Sequence, residues 1–345
     1  MHVSLIVPAP FDAVTGGYEY DRRIVAGLRD AGHSVEVLEL TGSYPLANEA
    51  ARDAACVAWD SVPAGSRPII DGLALPAFAG LDDALSASNT VGLIHHPTSL
   101  ESGFSESERT ALLALEQRLI PRLTRVIVTS KPTADRLVAD YRVNRDRIRV
   151  VVPGTDDARR STGSSGPTCH ILSIGTLIPR KGHDLLLRAV ARLFDLDWHL
   201  TIVGSTERDP VHAHALAAAA EELRIAGQVR FAGEVTGAAL EALWREADLF
   251  ALATHWEGYG MAIAEALKRG VPVVVSDGGA AGHLVTPEAG VVCPVGDPVN
   301  LSKALRRMIF GNELRRGMAE VAWRVGQTLP NWQTQVREFA QALAD

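Results

Sequence analysis

The chain has 345 residues, 47% hydrophobic and 22% charged, a balance that suits two globular domains and excludes a disordered chain, a collagen or a coiled coil. Its net charge of −7 argues against wrapping duplex nucleic acid, a task that rewards dense positive charge. Three scattered cysteines without metal-ligand spacing, a short apolar N-terminal run with no basic lead, and no apolar run of about 18 residues point to a cytoplasmic protein without a membrane span.

Short β-rich runs alternate with amphipathic helical runs. Val3–Val7 reads as a strand. Tyr18–Ala31 follows as a helix, with Ile24, Leu28 and Ala31 on one face and Gly32 as its terminator. Ser34–Leu40, Val91–His95, Arg125–Thr129 and Arg147–Val152 read as further strands, with helices over Ser105–Ile120 and Pro132–Asp140. Pro153–Thr168, rich in Gly, Ser and Pro and without periodicity, reads as a linker. The alternation then restarts. Strands are expected at Ile171–Ile174, Trp198–Val203, Val229–Phe231, Leu249–Ala253 and Pro272–Ser276. Helices are expected at His183–Phe194, Val211–Ala226, Ala238–Glu246 and Met261–Arg269. Such alternation predicts two α/β halves, each a parallel sheet covered by helices, with ligands at the carboxyl ends of the strands.

Three loops at strand ends carry chemistry. After the first strand comes Thr15-Gly16-Gly17, whose glycines let the backbone approach a ligand at a helix N-terminus. The sequence has no GxGxxG here, which weighs against a nicotinamide dinucleotide. The second loop is Gly175–Gly182, in which Arg180 and Lys181 form an adjacent cation pair suited to a diphosphate and expected to be largely exposed. It is not a Walker A loop. The third runs from Glu257 through Gly258, Gly260, Met261 and Ala262 to Glu265. Its glycines free N–H groups for an anion, while carboxylates beside an anion site suit sugar or ribose hydroxyls.

These three loops, in this order, resemble glycosyltransferase family 4, the retaining enzymes of the GT-B fold, over nearly the whole chain. The resemblance implies an α/β fold of two Rossmann-like domains facing across a cleft. It divides the chain into an acceptor domain over 1–152, a linker over 153–168 and a nucleotide-sugar donor domain over 169–329, with a helix over 330–345 crossing back to the first domain. It implies that Arg180 and Lys181 hold the donor diphosphate, that Glu257 binds the donor sugar and Glu265 the ribose, and that Gly16, Gly17, Gly260, Met261 and Ala262 bring backbone to the donor. A His after an N-domain strand faces the sugar in that family, which implies His95, with His96 as the fallback. Thr176 stands where many members carry Arg.

The function expected from the resemblance is transfer of a hexose from a GDP- or UDP-linked donor to an acceptor hydroxyl on a glycan, lipid or small metabolite. It needs no cofactor and no metal. Alternatives are a sugar phosphorylase or sugar-nucleotide epimerase on the same fold, or a non-catalytic nucleotide-sugar-binding subunit. Asp195-Leu196-Asp197 matches a metal-binding DxD in form but falls at a helix-to-strand junction, where Asp commonly forms turns. The basic stretch 118–149 reads first as a solvated face and second as a peripheral surface for anionic lipid. The apolar stripe Trp332, Val336, Phe339 and Leu343 predicts that the last helix buries one face.

Overall fold

The computed structural model describes residues 1–344 and divides into two compact units, Met1–Gly154 with the C-terminal segment from Asn331, and Thr155–Pro330. Unit 1 holds strands β1 (His2–Pro8), β2 (Ser34–Leu40), β3 (Arg67–Asp71), β4 (Val91–Ile94), β5 (Arg125–Val128) and β6 (Ile148–Val150). Its helices are α1 (Gly16–Asp30), α2 (Glu49–Ser61), α3 (Asp82–Ala87), α4 (Glu106–Leu119) and α5 (Lys131–Tyr141). The strands form one parallel sheet in the order β2-β1-β3-β4-β5-β6. Direction reverses between β1 and β3, a topological switch point that opens a crevice at the carboxyl ends of these strands.

Local chemistry explains the elements near that crevice. Thr15 caps α1 by accepting from the Tyr18 N–H at 3.3 Å, and Gly32 takes the left-handed turn after it at φ +84°. Ser105 and Glu108 close a capping box at the start of α4. The sequence reading passes over α2 and β3. β3 begins Arg67-Pro68 and contributes only Ile69 and Ile70 as apolar residues, both buried, so no alternation marks it.

Unit 2 holds β7 (Cys169–Ile174), β8 (Trp198–Val203), β9 (Val229–Gly233), β10 (Leu249–Leu252), β11 (Val273–Ser276) and β12 (Gly290–Cys293). Around them lie α6 (His183–Val190), α7 (Pro210–Glu222), α8 (Gly237–Glu246), α9 (Met261–Lys268), α10 (Pro298–Phe310) and α11 (Asn312–Thr328). The sheet is parallel in the order β12-β11-β10-β7-β8-β9, so its switch point lies between β7 and β10. α6 stops at Val190 rather than Phe194: the chain turns there, and Phe194 stands in solvent at 87% exposure.

The stretch read as a linker is laid against unit 2 from Thr155 onward. The Ser161 N–H donates to the Arg269 carbonyl at 2.8 Å, and the Thr162 N–H to the Arg245 carbonyl at 3.0 Å. Asp157 pairs with the buried Lys268 at 2.9 Å. Its Gly and Ser content reflects a chain that follows another surface through backbone hydrogen bonds.

The last helix, α12 (Trp332–Ala344), belongs to unit 1. Val336, Phe339, Ala342 and Leu343 are buried with Tyr20, Ile24, Val25 and Leu28 of α1. Close approach depends on Gly27, where a Cβ would sit 2.3 Å from Val336 Cγ2. Arg125 fastens the end of α12 by donating to the Ala342 carbonyl at 2.9 Å.

Candidate functional site

In unit 2 the predicted residues converge at the switch point. β7 leads into the loop carrying Arg180 and Lys181, and the neighbouring β10 leads into the loop carrying Glu257. Lys181 Nζ lies 2.6 Å from Glu257 Oε1, and Arg180 Nη1 lies 3.9 Å from the same oxygen while donating to the Trp256 carbonyl at 2.8 Å. The cations are therefore not largely exposed as expected. Their side chains are 11% and 16% accessible because each covers a buried carboxylate. Burial pushes the Glu257 carboxyl up, but the charges of Lys181 and Arg180 and the hydrogen bonds from Lys181 and Thr254 outweigh it, so its pKa falls below the ordinary value.

The backbone that aims these groups is tightly built. The His255 N–H donates to the Arg180 carbonyl at 2.8 Å, tying the two loops together. The Glu257 N–H donates to the Gly278 carbonyl at 3.0 Å, and the Ala280 N–H to the Glu257 carbonyl at 2.8 Å. Gly279 sits at φ +64°, where a Cβ would lie 2.4 Å from the Glu257 oxygen. Gly278-Gly279 thus cradles the Glu257 loop, a role the sequence reading did not assign. Behind the cation loop, the His183 Nε2–H donates to the Gly175 carbonyl at 3.1 Å. Burial drives its pKa down to about 4, so the ring is neutral near pH 7.

Gly260 precedes α9 in the left-handed region at φ +102°, and α9 has no side-chain cap. The Ile263 and Ala264 N–H groups both turn back to the Gly260 carbonyl, so the N–H groups of Met261 and Ala262 head a helix start that favours an anion. Glu265, half-buried, lies one turn further on.

In unit 1 the structure separates the two candidate histidines. His96 Nε2 pairs with Glu101 Oε2 at 3.1 Å in its own loop. His95 lies at the switch point, its Nε2 3.0 Å from Asp21 Oδ1 and 3.6 Å from Asp71 Oδ2. Gly16 and Gly17 open α1 beside it, and a Cβ on Gly17 would sit 3.3 Å from His95 Cδ2. Burial lowers the His95 pKa, but Asp21, by charge and hydrogen bond, and the charge of Asp71 outweigh it, leaving it above the ordinary value. Asp71 is pushed up to about 7, by burial first and then by the Asp21 charge. Sequence reading missed both carboxylates. Asp21 looks like one more polar residue of an amphipathic helix, and Asp71 ends the strand that went unread.

Asp21, Asp71 and His95 are also the one group of three potential metal donors among the described residues, with their atoms within 4.8 Å of one another. Asp195 is held by Arg306 at 2.6 and 2.7 Å, and Asp197 accepts from the Thr168 hydroxyl at 2.9 Å, so both DxD carboxylates have structural partners. Several arginines of 118–149 are likewise engaged: Arg122 with Asp82 at 3.2 Å, Arg145 with Asp135 at 2.6 Å, and Arg147 with the Pro121 carbonyl at 2.9 Å. No helix among the described residues is long and apolar enough to cross a membrane.

Comparison with known proteins bears on the family and the fold. The family model described as Glycosyl transferases group 1 matches residues 155–324, and that described as Glycosyltransferase Family 4 matches 69–159. A D-inositol 3-phosphate glycosyltransferase of Salinispora tropica is 30% identical over 67% of this chain and 53% of its own. Mannosylfructose-phosphate synthase of Agrobacterium fabrum is 30% identical over 44% of this chain and 37% of its own. The match to the curated relative from Salinispora spans about half of that protein's length. Among solved structures, sucrose-phosphate synthase of Thermosynechococcus elongatus superposes with a TM-score of 0.82 at 18% identity, covering 99% of this chain and 98% of its own. Anabaena Alr3699/HepE in complex with UDP and glucose gives 0.75 at 18% identity, covering 99% and 100%. The architecture of two six-stranded parallel sheets with surrounding helices is that of GT-B proteins.

Proposed function

The chain belongs to glycosyltransferase family 4, and from that premise we propose that it transfers a hexose from a nucleotide-diphosphate sugar to an acceptor hydroxyl, with retention and without a metal. One observation carries this reading: Arg180 and Lys181 meet the buried Glu257 at the ends of adjacent strands, beside the uncapped start of α9. Cations and helix N–H groups in one crevice match the charge that grows on a departing diphosphate. Lys181 releases Glu257 to sugar hydroxyls as its ammonium turns to phosphate, and Glu265 takes the ribose. Within unit 1, His95 with Gly16 and Gly17 is assigned to sugar binding.

The cation pair gives the physical reason for metal independence, since it supplies the charge that a divalent ion otherwise brings to a diphosphate. The engaged arginines of 118–149 favour the solvated-face reading of that stretch. The names of the similar proteins carry inositol 3-phosphate, mannosylfructose phosphate and sucrose phosphate, so phosphorylated polyols and sugars are the first acceptors to try. The test is turnover of a panel of GDP- and UDP-sugars, with and without chelator, against such acceptors. Product of retained anomeric configuration, formed in chelator, is expected. An absolute requirement for Mn²⁺ or Mg²⁺ refutes metal independence, and transfer to free phosphate alone makes the protein a phosphorylase.

A further inference from the structure

Three titratable groups from three elements of unit 1 meet at one ring nitrogen. Asp21 comes from α1, Asp71 ends β3, and His95 follows β4. The two carboxylates are sealed at 0% and 4% side-chain exposure, while the ring keeps 18%. Asp21 Oδ1 takes the hydrogen bond to His95 Nε2, but Asp21 Oδ2 is buried with no hydrogen-bond partner. An orphaned buried acceptor and two carboxylates packed together are both unfavourable, so the arrangement requires a compensating positive charge or a shared proton.

The ring supplies it. An ionised carboxylate only accepts, so the Nε2 facing Asp21 carries a proton. The remaining nitrogen, Nδ1, accepts if the ring is neutral and donates if it is charged. We propose that Asp21 and Asp71 clamp the Nε2 edge of His95 as positioning residues, fixing the ring and holding it as an imidazolium that meets a sugar oxygen as a hydrogen-bond donor. The clamp rests on the glycosyltransferase reading only for the identity of that oxygen.

The surroundings fit. Tyr20 of α1 presents its ring to the imidazole edge-on, centroids 5.3 Å apart, and its own hydroxyl is committed to the Val151 carbonyl at 3.0 Å. Burial and then the Asp21 charge hold the Tyr20 pKa well above its ordinary value, so it stays neutral. The Thr129 hydroxyl, after β5, donates to the His95 carbonyl at 3.3 Å. His96 is occupied by Glu101, Glu116 of α4 by Thr98 and Ser99, and Glu338 of α12 acts on Tyr20. The charges that set the His95 ring are therefore Asp21 and Asp71. The raised pKa of His95 and the protonation of Asp71 near neutrality follow from the same geometry.

The test uses the full chain with labelled histidine. The His95 signals, assigned by their loss in His95→Gln, are titrated by NMR in the wild type, Asp21→Asn and Asp71→Asn, beside kcat/KM against pH. In the wild type His95 is expected to titrate above the ordinary imidazole value of about 6.5. Asp21→Asn is expected to lower that midpoint by about one unit or more, since it removes the nearest charge. The fall of kcat/KM with rising pH should move to lower pH with it, and kcat/KM should drop about 10–100-fold, as when carboxylates that orient ligating histidines are removed. Asp71→Asn, at the longer distance, should shift the midpoint in the same direction by less, and it carries the test if Asp21→Asn does not fold.

An unchanged His95 midpoint in the Asn variants overturns the clamp, as does stoichiometric Zn²⁺ binding to the wild type that the variants lose. Absence of turnover with every nucleotide sugar refutes the enzyme reading instead, while the NMR titration still decides the clamp.

Discussion

Phe339→Ala is expected to loosen unit 1 and, through it, His95, while sparing the crevice of unit 2 proposed to hold the donor. Phe339 is 1% exposed on the inner face of α12, within the cluster that joins this helix to α1 and β1. Its ring meets Tyr20 at 6.4 Å between centroids, and Tyr20 in turn packs edge-on against His95. Truncating a sealed phenylalanine costs about 3–5 kcal/mol, the transfer free energy plus a cavity that neighbours only partly fill. That is a large part of the roughly 5–15 kcal/mol that stabilises a domain. For a unit of this size each kcal/mol moves Tm by about 2–4 °C, so a fall of roughly 6–20 °C is expected. Thermal unfolding followed by circular dichroism gives the first readout and calorimetric titration with the donor nucleotide the second. Turnover should fall while nucleotide affinity holds. An unchanged Tm with full turnover would mean that α12 is only an appendage to unit 1.

Gly27→Ala should destabilise unit 1 by about 1–3 kcal/mol through collision with Val336, and the double variant with Val336→Ala should recover part of that in denaturant titration. Lys181→Ala should lower kcat by about 10²–10³ with a competent donor, as loss of an oxyanion donor does. Because Lys181 covers Glu257, it should also lower Tm at pH 7, and adding Glu257→Gln should restore Tm without restoring activity. His183 makes unit 2 acid-sensitive. The unfolded chain takes up its proton below about 6.5, whereas the native ring resists protonation down to about 4. Stability is therefore complete above the unfolded pKa and lost as pH falls towards 4, approaching roughly 3 kcal/mol. His183→Gln should flatten that loss in urea titrations between neutral pH and pH 4.

The unit 2 crevice is legible in sequence because its residues lie in short loops between strongly patterned strands. Arg180, Lys181, Glu257 and Gly260 each follow or precede an apolar run that marks a strand end or a helix start. The linear reading could not show that Lys181 and Glu257, separated by 76 positions, form one ion pair. It assigned them separate partners and expected the cations to be exposed. In unit 1 the same limit hid Asp21 and Asp71. A carboxylate inside an amphipathic helix looks solvated until the sheet order brings it beneath a histidine. The C-terminal helix was readable as a buried face from its stripe alone, but Gly27, the residue that admits it, carries no signal outside the packed structure.

The crevice formed by Arg180, Lys181, Glu257 and the start of α9 is expected to hold a nucleotide-diphosphate sugar. The measurement is calorimetric titration of the wild type and of Arg180→Ala/Lys181→Ala with GDP and UDP, followed by the corresponding sugars. Saturable one-to-one binding of one nucleotide family is expected, with affinity reduced at least tenfold in the double variant while the fold, by circular dichroism, is retained. Equal affinity in the two proteins, or no binding of any nucleoside diphosphate by the wild type, would mean that this crevice is not the nucleotide site.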